Sequence, residues 1–598
     1  MLNSYLHSQV LSHDTRISVD KKGRKRTEKR LLIQINGKHE EWLSEIEIRH
    51  SPQQDLSFDY AQILDMEGNV LRKVRKRDLT TRSLRTEQAF YMDDLVTEVD
   101  LYWHQYPYQI EYAYTIEEEE FIFLSWWSPV FHPAIPTEQA SLQIDIPADY
   151  AVNISEQGKM SKEKSEIEGR IIYNWQASSE KMEEAELFSP PVHEYLPQVS
   201  VVPEHFKYGV EGNSNSWKSL GKWFDLLNEG TAVLPLNDTW TLKKMVAEAV
   251  DKKDTIRKLY HYLQDNTRYI NVAIDVGGLK SYPATYVLKN QYGDCKALTT
   301  YMKAMLHSVG IDSYYTVING GSNEERVIRD FPSQQFNHVI LAVPLEKDTL
   351  WLENTSNSVP FGYLGTFTQD RYGMAVAGSS SKLVKTPGLL ASDVLVEREH
   401  QFSSNGNTWS SKSTLKLRSR RFEAFRHYYK NQDQEQLEQL ITESVGLKGF
   451  EVESWQVRDF HRDSSFVEIL AQGPVENPVR AIAQWQVITP LQISIPEFEQ
   501  PADRNLEVRI NFPISNSDRS IFRFEDLETS QVEIPEDILI KGEYGRYATR
   551  FRREGNSIFA EEEFTLAAQD IPVAKYPEFY AFIQSIQAYK KKSAILIK

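Results

Sequence analysis

The sequence predicts a multidomain fold in which an N-terminal β-sandwich and a C-terminal, mostly β domain flank a central α+β domain. Three observations lead to this prediction. The chain has 598 residues, which is enough for three or four domains of about 100–200 residues each. Aromatic residues, which are enriched in β-strands, make up 12% of the chain. Helical spacing of apolar residues is concentrated in the middle of the chain, whereas strand patterns with turn signals fill both flanks.

Residues 1–210 are predicted to form the N-terminal β-sandwich. Short strand-like segments such as Leu31–Ile35, Tyr108–Tyr114 and Arg170–Trp175 follow one another without a long helical period. The dipeptide Asn36-Gly37, directly after the first of these segments, predicts a tight hairpin turn.

Residues 211–388 are predicted to form the α+β domain. Its clearest helix extends from about residue 295 to 307, carries Leu298, Met302 and Met305 on one face, and ends before Gly310. The strands predicted after it are Tyr314–Ile318, His338–Pro344 and Leu350–Glu353.

Residues 389–598 are predicted to form the C-terminal β domain. Strand patterns return here, for example at Val394–Phe402 and Ser411–Leu417. One helix, Phe422–Val445, is predicted to interrupt them, and a short helix at Tyr576–Lys590 is predicted to close the chain.

Composition argues against several classes of function. The formal net charge of -17 repels phosphate, so no nucleic-acid partner is expected. No apolar run approaches the ~18 residues of a membrane span. A single cysteine excludes an intramolecular disulfide framework and a cysteine-cluster metal site. The H-E-x-x-H, Walker, G-x-G-x-x-G and G-x-S-x-G patterns are absent from the sequence, so neither a metal nor a cofactor is expected.

The one cysteine occupies a position that is suited to chemistry. In the segment Tyr292-Gly293-Asp294-Cys295-Lys296, Asp294 can cap a helix and place Cys295 in its first turn. A helix N-terminus favours a thiolate there, and Lys296 adds positive charge. A catalytic thiolate also requires a base, and the base requires a group that orients it.

Candidates for both groups follow along the chain. His338 begins one predicted strand, and Glu353 ends the next. If the two strands form a hairpin, both side chains fall at the same end of it, within reach of a hydrogen bond, as in a Cys/His/acid arrangement. Each residue alone has a simpler interpretation, as a buried apolar thiol, a structural histidine or a surface carboxylate. The occurrence of all three in this order favours catalysis.

These motifs resemble the bacterial transglutaminase-like superfamily, which has a papain-like fold. Tyr-Gly-Asp-Cys-Lys opens a helix, Phe-Asn-His-Val begins a strand, and Trp-Leu-Glu follows. The resemblance is closest to the subgroup in which this core follows an N-terminal β-sandwich of the DUF3857 type and often precedes a C-terminal β domain. It implies Cys295 as nucleophile, His338 as general base and acid, and residue 353 as the orienting acid. That third position is most often Asp in the superfamily but is Glu353 here, and Asn354 is an alternative orienting residue.

An oxyanion hole is expected to combine the Cys295 backbone N–H with one upstream donor, for which Gln291, Tyr292 and Tyr269 are the candidates. The expected activity is cysteine-dependent acyl transfer on a peptide or Gln-side-chain amide through a thioester, ending in hydrolysis (peptidase or amidase) or in transamidation. The competing interpretation is a non-catalytic scaffold that binds a protein or glycan and retains a relic papain-like core. A protein or peptide substrate is the expected partner. By resemblance, an exported, periplasmic location is expected, with the cytoplasm as the alternative because this chain shows no signal-peptide pattern.

Overall fold

The computed structural model confirms the predicted fold class, with a β-rich N-terminal region, an α+β centre and a β-rich C-terminal region. It describes residues 7–83, 91–92, 94–182, 186–273, 278–323, 325–405, 408–524, 527 and 530–598. The domain limits placed after residues 210 and 388 stay predictions. Within this described part, none of the helices combines the length and apolarity that crossing a membrane requires.

The N-terminal region is built from a large sheet that packs against two smaller sheets. In the large sheet, Gln9–Val19 pairs in parallel with Thr137–Pro147 and antiparallel with Lys25–Ile35. Its apolar side chains form one core with each smaller sheet, which is the packing of a β-sandwich. Across the large sheet the strands run in the order Ser161–Ile167, Arg170–Ser179, Thr137–Pro147, Gln9–Val19, Lys25–Ile35, Tyr108–Glu118, Asp55–Leu64 and Val70–Lys73. The smaller sheets contain Ser125–Trp127, Gln198–Pro203 and Val152–Gln157, and Glu45–His50, Leu95–Asp100 and Thr80–Ser83. The remaining short elements are Lys38–Ser44, Lys76–Asp78, Tyr91–Met92, Val192–Glu194, His205–Tyr208 and Val210–Asn213.

The hairpin turn predicted at Asn36-Gly37 is wrong. After the strand Lys25–Ile35 the chain enters the 3-10 helix Lys38–Ser44, and the next strand belongs to a smaller sheet. Both edges of Lys25–Ile35 are already paired, with Gln9–Val19 and with Tyr108–Glu118. Pairing with the distant strand Tyr108–Glu118, on the edge that Gln9–Val19 leaves open, therefore overrides the local preference of the dipeptide.

The central region consists of an antiparallel sheet, called the core sheet below, with helices packed against it. The helix Cys295–Ser308 packs its apolar face, including Met302 and Met305, against Leu341 and Val343 of the sheet. Across the core sheet the strands run in the order Thr349–Leu352, His338–Pro344, Tyr314–Ile318, Tyr372–Val376 and Lys382–Lys385. The helices are Trp217–Leu227, Leu236–Met245, Lys252–Asn266, Ala284–Asn290, Cys295–Ser308 and Gly365–Thr368, with a 3-10 turn at Gly378–Ser380. Two short strand pairs complete this region: Arg268–Tyr269 with Tyr292–Gly293, and Val272–Ala273 with Tyr91–Met92 of the N-terminal region.

The C-terminal region is a second large sheet covered by helices on its apolar face. The cluster beneath the helices joins Phe422 and Ile441 to Leu415 and Ile469 of the strands. Across this sheet the strands run in the order Ser454–Asp459, Phe466–Val475, Thr408–Arg418, Val396–Asn405, Ile514–Arg523, Ser557–Leu566, Gly545–Glu554 and Ile538–Gly542. Smaller sheets contain Val479–Ile482, Trp485–Ile488, Ile595–Ile597 and Val532–Glu533, and Val508–Ile510 with Gln569–Ile571. The helices are Ala391–Val394, Ser419–Asn431, Gln434–Val445 and Tyr576–Lys592, the last preceded by a 3-10 turn at Val573–Lys575.

The single helix predicted at Phe422–Val445 is instead two helices. Ser419–Asn431 ends at Gln432, which adopts a left-handed conformation with φ 57°. Asp433 then caps the second helix, because its side chain accepts a hydrogen bond from the Gln436 backbone N–H at 3.2 Å. Neither glycine nor proline lies at the break. The spacing of apolar residues alone therefore predicts one continuous helix.

Candidate active site

Cys295 begins a helix, as the sequence predicts, and local contacts explain why the helix starts there. The Asp294 side chain caps it by accepting a hydrogen bond from the Ala297 backbone N–H at 2.8 Å. Gly293 allows a close approach just before the cap, since a Cβ at that position would lie 2.8 Å from the Cβ of Ala297. Cys295 is 8% exposed, so bulk water hardly surrounds it.

Lys296 places a positive charge beside this cysteine. Its Nζ lies 2.5 Å from Oδ2 of the buried Asp294. Burial lowers the pKa of the Lys296 ammonium, but the negative charges of Cys295 and Asp294 outweigh burial and leave the pKa above its usual value. Lys296 therefore stays protonated and, together with the helix N-terminus, stabilises negative charge on the Cys295 sulfur.

His338 and Glu353 form a buried pair next to Cys295. His338 Nε2 lies 2.9 Å from Glu353 Oε2, and the two side chains are 9% and 6% exposed. Cys295 lies close enough to the imidazole to contribute to raising the pKa of His338. Because Nε2 is occupied by Glu353, Nδ1 is the nitrogen left for the Cys295 sulfur. The structure thus brings all three residues into one chain of contacts.

The charges in this pair support each other. Burial lowers the pKa of His338, but the charge and hydrogen bond of Glu353, together with Cys295, outweigh burial and raise it to about 10. Burial raises the pKa of Glu353, but His338 and two hydrogen bonds from Thr355 outweigh burial and hold it below its usual value. At neutral pH the site therefore contains an imidazolium and a carboxylate.

The carboxylate of Glu353 is held in place from several sides. Its Oε1 accepts hydrogen bonds from the Thr355 backbone N–H at 3.0 Å and from the Thr355 hydroxyl at 2.6 Å. Its backbone oxygen accepts a hydrogen bond from the Tyr260 hydroxyl at 2.7 Å. Asn354, the alternative orienting residue, instead donates its amide to the Thr299 hydroxyl at 3.1 Å. Glu353, and not Asn354, is therefore the residue that contacts His338.

The three candidate oxyanion donors have different surroundings. Tyr269 pairs with Gly293 in a short parallel strand pair, and the charge of Cys295 contributes, after burial, to raising the pKa of its hydroxyl. The hydroxyl of Tyr292 accepts a hydrogen bond from Tyr286 at 2.8 Å. Gln291 ends the preceding helix in a left-handed conformation and has an exposed side chain. Tyr269 is thus the candidate with a direct electrostatic link to Cys295.

Phe367 is a neighbour of His338 that the sequence analysis did not identify. The two rings meet edge to face, with centroids 5.1 Å apart at an angle of 79°. Gly320 makes room for this contact, since a Cβ there would lie 2.6 Å from the Phe367 ring and 3.1 Å from the Cβ of His338. The ring of Phe367 therefore covers one side of the imidazole.

The segment that carries Phe367 is held by the C-terminal region. Glu423, in the helix Ser419–Asn431, accepts hydrogen bonds from the Tyr363 hydroxyl at 2.8 Å, the Thr366 backbone N–H at 2.9 Å and the Thr366 hydroxyl at 2.7 Å. No local motif marks Glu423, because its partners lie about 60 residues earlier in the chain. One carboxylate from outside the central region therefore supports the surroundings of His338.

No group of three or more His, Cys, Asp or Glu side chains that could hold a metal ion is found among the residues that the structure describes. The side chains gathered at the site offer a thiol, an imidazole and a carboxylate.

Comparison with protein families finds three matches along the chain. Residues 241–353 match the transglutaminase-like superfamily, a segment that includes Cys295, His338 and Glu353. Residues 21–183 match a domain of unknown function with a solved structure, DUF3857. Residues 486–596 match another such domain, DUF3858, which the sequence analysis described only as β-rich. No curated protein matches the chain.

Solved structures support the same architecture. A candidate protease from Parabacteroides distasonis ATCC 8503 aligns over 99% of both chains with a TM-score of 0.65 and 11% identity. At this identity the match establishes the fold alone. A candidate cysteine protease from Cytophaga hutchinsonii matches with a TM-score of 0.20 and 8% identity over 57% of this chain and 88% of its own. An M1 zinc metallopeptidase from Deinococcus radiodurans matches with a TM-score of 0.18 and 12% identity over 33% of this chain and 43% of its own. Scores this low support no structural argument.

The motifs around Cys295, the core fold and the three family matches agree. The chain is therefore a multidomain protein whose central segment matches the transglutaminase-like superfamily, between a DUF3857 match and a DUF3858 match.

Proposed function

We propose that this protein is a cysteine-dependent acyltransferase that acts on peptide or Gln-side-chain amides, with hydrolysis as its main outcome. The observation that carries the proposal is the position of His338, which contacts Glu353 through Nε2 at 2.9 Å and has Cys295 near enough to contribute to its raised pKa. A buried imidazole held between a thiol and a carboxylate is the arrangement that activates a cysteine nucleophile.

The reaction follows from this geometry. The Cys295 thiolate attacks the amide carbonyl carbon and forms a tetrahedral intermediate. The intermediate collapses as the C–N bond breaks, and the His338 imidazolium gives its proton to the leaving amine. Cys295 is then acylated as a thioester, and neutral His338 takes a proton from an incoming water. The attack of that water releases the carboxylic acid, and the proton held by His338 restores the ion pair.

Tyr269 is proposed as a donor to the oxyanion of the tetrahedral intermediate, together with the Cys295 backbone N–H. Its short strand pair with Tyr292–Gly293 fixes it beside the cysteine. A phenol that already interacts with the charge of Cys295 is suited to stabilise negative charge that develops one atom away.

Hydrolysis is preferred to transamidation in this proposal because water requires no second binding site. A transamidase would need a site that delivers a Lys amine to the thioester faster than water arrives. The two outcomes share every step up to the thioester, so the same residues serve both.

Alkylation of Cys295 tests the proposal directly. Because the chain contains one cysteine, any thiol modification reports on that residue. We expect iodoacetamide to label the native protein rapidly well below pH 7, since a His-paired thiolate forms at lower pH than a free thiol at about 8.5. His338→Ala should lose this labelling at low pH, whereas the control His307→Ala, at the exposed end of the same helix, should retain it.

Turnover provides the second test. Wild-type protein incubated with a peptide mixture should release new peptide ends or glutamate from glutamine, and Cys295→Ala should not. The competing scaffold interpretation predicts slow labelling that needs denaturant, equal labelling of wild type and His338→Ala, and no turnover. That combination would overturn the proposed activity.

A further inference from the structure

A cavity of about 480 Å³ lies between the core sheet and the C-terminal region. Its walls come from the segment after the strand Tyr314–Ile318, from the beginning of the strand Tyr372–Val376, and from Asn511 and Asp570. A hydrogen bond from the Gln369 side chain to the Asn511 backbone oxygen, at 3.0 Å, joins the two sides. The volume falls within the range of ligand sites in proteins.

This cavity lies on the same edge of the core sheet as His338. His338 pairs with Ile318, the last residue of the neighbouring strand Tyr314–Ile318. The next strand across the sheet, Tyr372–Val376, begins at the same edge with Tyr372. Tyr372 in turn pairs with Lys385. Two strand spacings of about 4.8 Å each therefore separate the backbone of His338 from that of Tyr372 along the edge. An extended peptide covers this distance of roughly 10 Å in about three residues.

The cavity is lined by four cationic side chains, Arg326, Arg329, Arg371 and Lys385, and by three acidic ones, Glu325, Asp370 and Asp570. Arg326 forms a bidentate ion pair with Asp570 at 2.5 and 2.9 Å, and the Lys385 ammonium lies 2.6 Å from Asp370. Arg371 donates hydrogen bonds to the backbone oxygens of Asn319 (2.8 Å) and Gly321, which places its guanidinium at the wall. The remaining cation that lines the cavity is Arg329.

The Arg329 guanidinium contacts the aromatic ring of Tyr372 and not a carboxylate. Its guanidinium carbon lies 5.2 Å from the centroid of Tyr372, and Nη1 donates to the Tyr372 hydroxyl at 3.3 Å. No ion pair of Arg329 occurs within the part of the chain that the structure describes. Its backbone oxygen accepts a hydrogen bond from the Trp217 indole at 2.7 Å, which fixes the loop that carries it. A fixed cation on an aromatic ring, in a protein of net charge -17, is suited to bind a carboxylate.

We propose that this cavity is a subsite that binds an acidic side chain of the substrate, about three residues from the amide attacked by Cys295, with Arg329 as the main contact. This inference rests on the proposed function, because it assumes that a peptide lies across the sheet edge at His338. It adds a preference for acidic peptides that the catalytic residues alone do not dictate.

A peptide library tests the subsite. The probes are N-acetylated, C-amidated octapeptides in which one position at a time is fixed as Glu or Gln and the other positions are mixtures of uncharged residues. With wild-type protein, Glu should exceed Gln by about tenfold in kcat/KM at one position near three residues from the cleaved amide. Raising the salt concentration should reduce this ratio, because the contact is partly exposed.

Variants at Arg329 identify the contact. In Arg329→Gln the Glu-to-Gln ratio should fall close to one while turnover of the Gln peptides is kept, and Arg329→Lys should retain part of the ratio. The matched control Arg458→Gln removes an exposed arginine in the strand Ser454–Asp459 and should leave the ratio unchanged. A second peptide set with a free C-terminal carboxylate at the preferred position distinguishes a terminal carboxylate from an acidic side chain. A preference for the terminal carboxylate alone would overturn the side-chain proposal.

Binding to Cys295→Ala separates this inference from the proposed activity. The inactive protein is mixed with the same libraries, and the bound peptides are identified by mass spectrometry. Turnover by wild type with a Glu-to-Gln ratio near one at every position would overturn the subsite and leave the activity standing. Glu enrichment on Cys295→Ala that Arg329→Gln abolishes, without any turnover by wild type, would overturn the activity and leave the binding site standing.

Discussion

Oε2 of Glu353 lies 2.9 Å from Nε2 of His338, although the two residues are 15 positions apart and belong to neighbouring strand ends of a hairpin. The strands His338–Pro344 and Thr349–Leu352 form this hairpin. His338 begins the first strand and Glu353 directly follows the second, so the two side chains meet at the same end. Glu353 uses its second oxygen to accept two hydrogen bonds from Thr355. The carboxylate is thereby fixed at both oxygens, and the histidine is fixed by the carboxylate.

The buried pair predicts how stability depends on pH. The pKa of His338 is raised from 6.5 to about 10 in the folded protein, so its contribution is complete below pH 6.5 and is lost as pH rises through about 10. The pKa of Glu353 is lowered from 4.5, so its contribution is complete above pH 4.5 and is lost on further acidification. Glu353→Gln should therefore cost most between pH 4.5 and 6.5, about 3 to 5 kcal/mol of unfolding free energy. Hydrogen exchange of the strand His338–Pro344 measures this loss of unfolding free energy. A loss that stays constant from pH 5 to 10 would contradict the ion pair between His338 and Glu353.

Glu353 should also control the reactivity of Cys295. Glu353→Gln keeps the shape of the side chain but removes the charge that favours imidazolium, so iodoacetamide labelling at pH 6 should slow at least tenfold. Turnover should fall by about 10³ to 10⁴ if Glu353 serves as the orienting acid. Glu353→Asp should give an intermediate result, since the charge remains but the arm is one methylene shorter. Glu468→Gln, in the strand Phe466–Val475, is the control and should change neither rate.

Tyr269 and Tyr292 should differ sharply when their hydroxyl groups are removed. Tyr269→Phe should lower kcat by about 10² to 10³, because one donor to the oxyanion is lost. Its rate of alkylation should not change, since iodoacetamide forms no tetrahedral oxyanion. Tyr292→Phe should have little effect on either rate, because the Tyr292 hydroxyl is bonded to Tyr286. Equal losses of kcat in the two variants would contradict the assignment of Tyr269.

Glu423 should act as a positioning residue for His338 from outside the central region. Glu423→Gln keeps an acceptor oxygen but weakens the hydrogen bonds from Tyr363 and Thr366, so the segment with Phe367 should loosen. We expect kcat to fall about tenfold with KM nearly unchanged, and the low-pH labelling of Cys295 to decline. Glu423→Asp should recover part of kcat and part of the low-pH labelling. The control Glu438→Gln, at an exposed position on the next helix, should leave kcat and labelling at the wild-type level. A loss of thermal stability without any change in the labelling profile would mean that Glu423 is merely structural.

Local patterns were sufficient to predict the elements that hold the three central residues. The start of the helix at Cys295 follows from its Asp294 cap, and the strand His338–Pro344 has the predicted limits. Glu353 could be placed at the same end of the hairpin as His338, because a short turn joins the two strands.

Features that depend on distant segments could not be predicted. Phe367 reaches His338 across Gly320, and Glu423 reaches Thr366 from another region of the chain. The failed hairpin at Asn36-Gly37 has the same origin, since the remote strand Tyr108–Glu118 takes the edge of Lys25–Ile35 that a hairpin would have used. Choosing Tyr269 among the oxyanion candidates likewise required the pairing of Tyr269 with Gly293.

The helix Ser419–Asn431 gives the molecule a further property. Besides Glu423, it supplies Arg426 and Lys430, which donate hydrogen bonds to the backbone oxygens of Ser358 and Asn357, soon after Glu353. The superfamily match ends at residue 353, yet these supports come from residues 423–430. The structural support of Cys295, His338 and Glu353 therefore extends beyond the matched segment, and a fragment cut at the limits of that segment would carry these three side chains without the helix that supports them. Moving the Cys295, His338 and Glu353 cluster into another protein would require moving this helix as well.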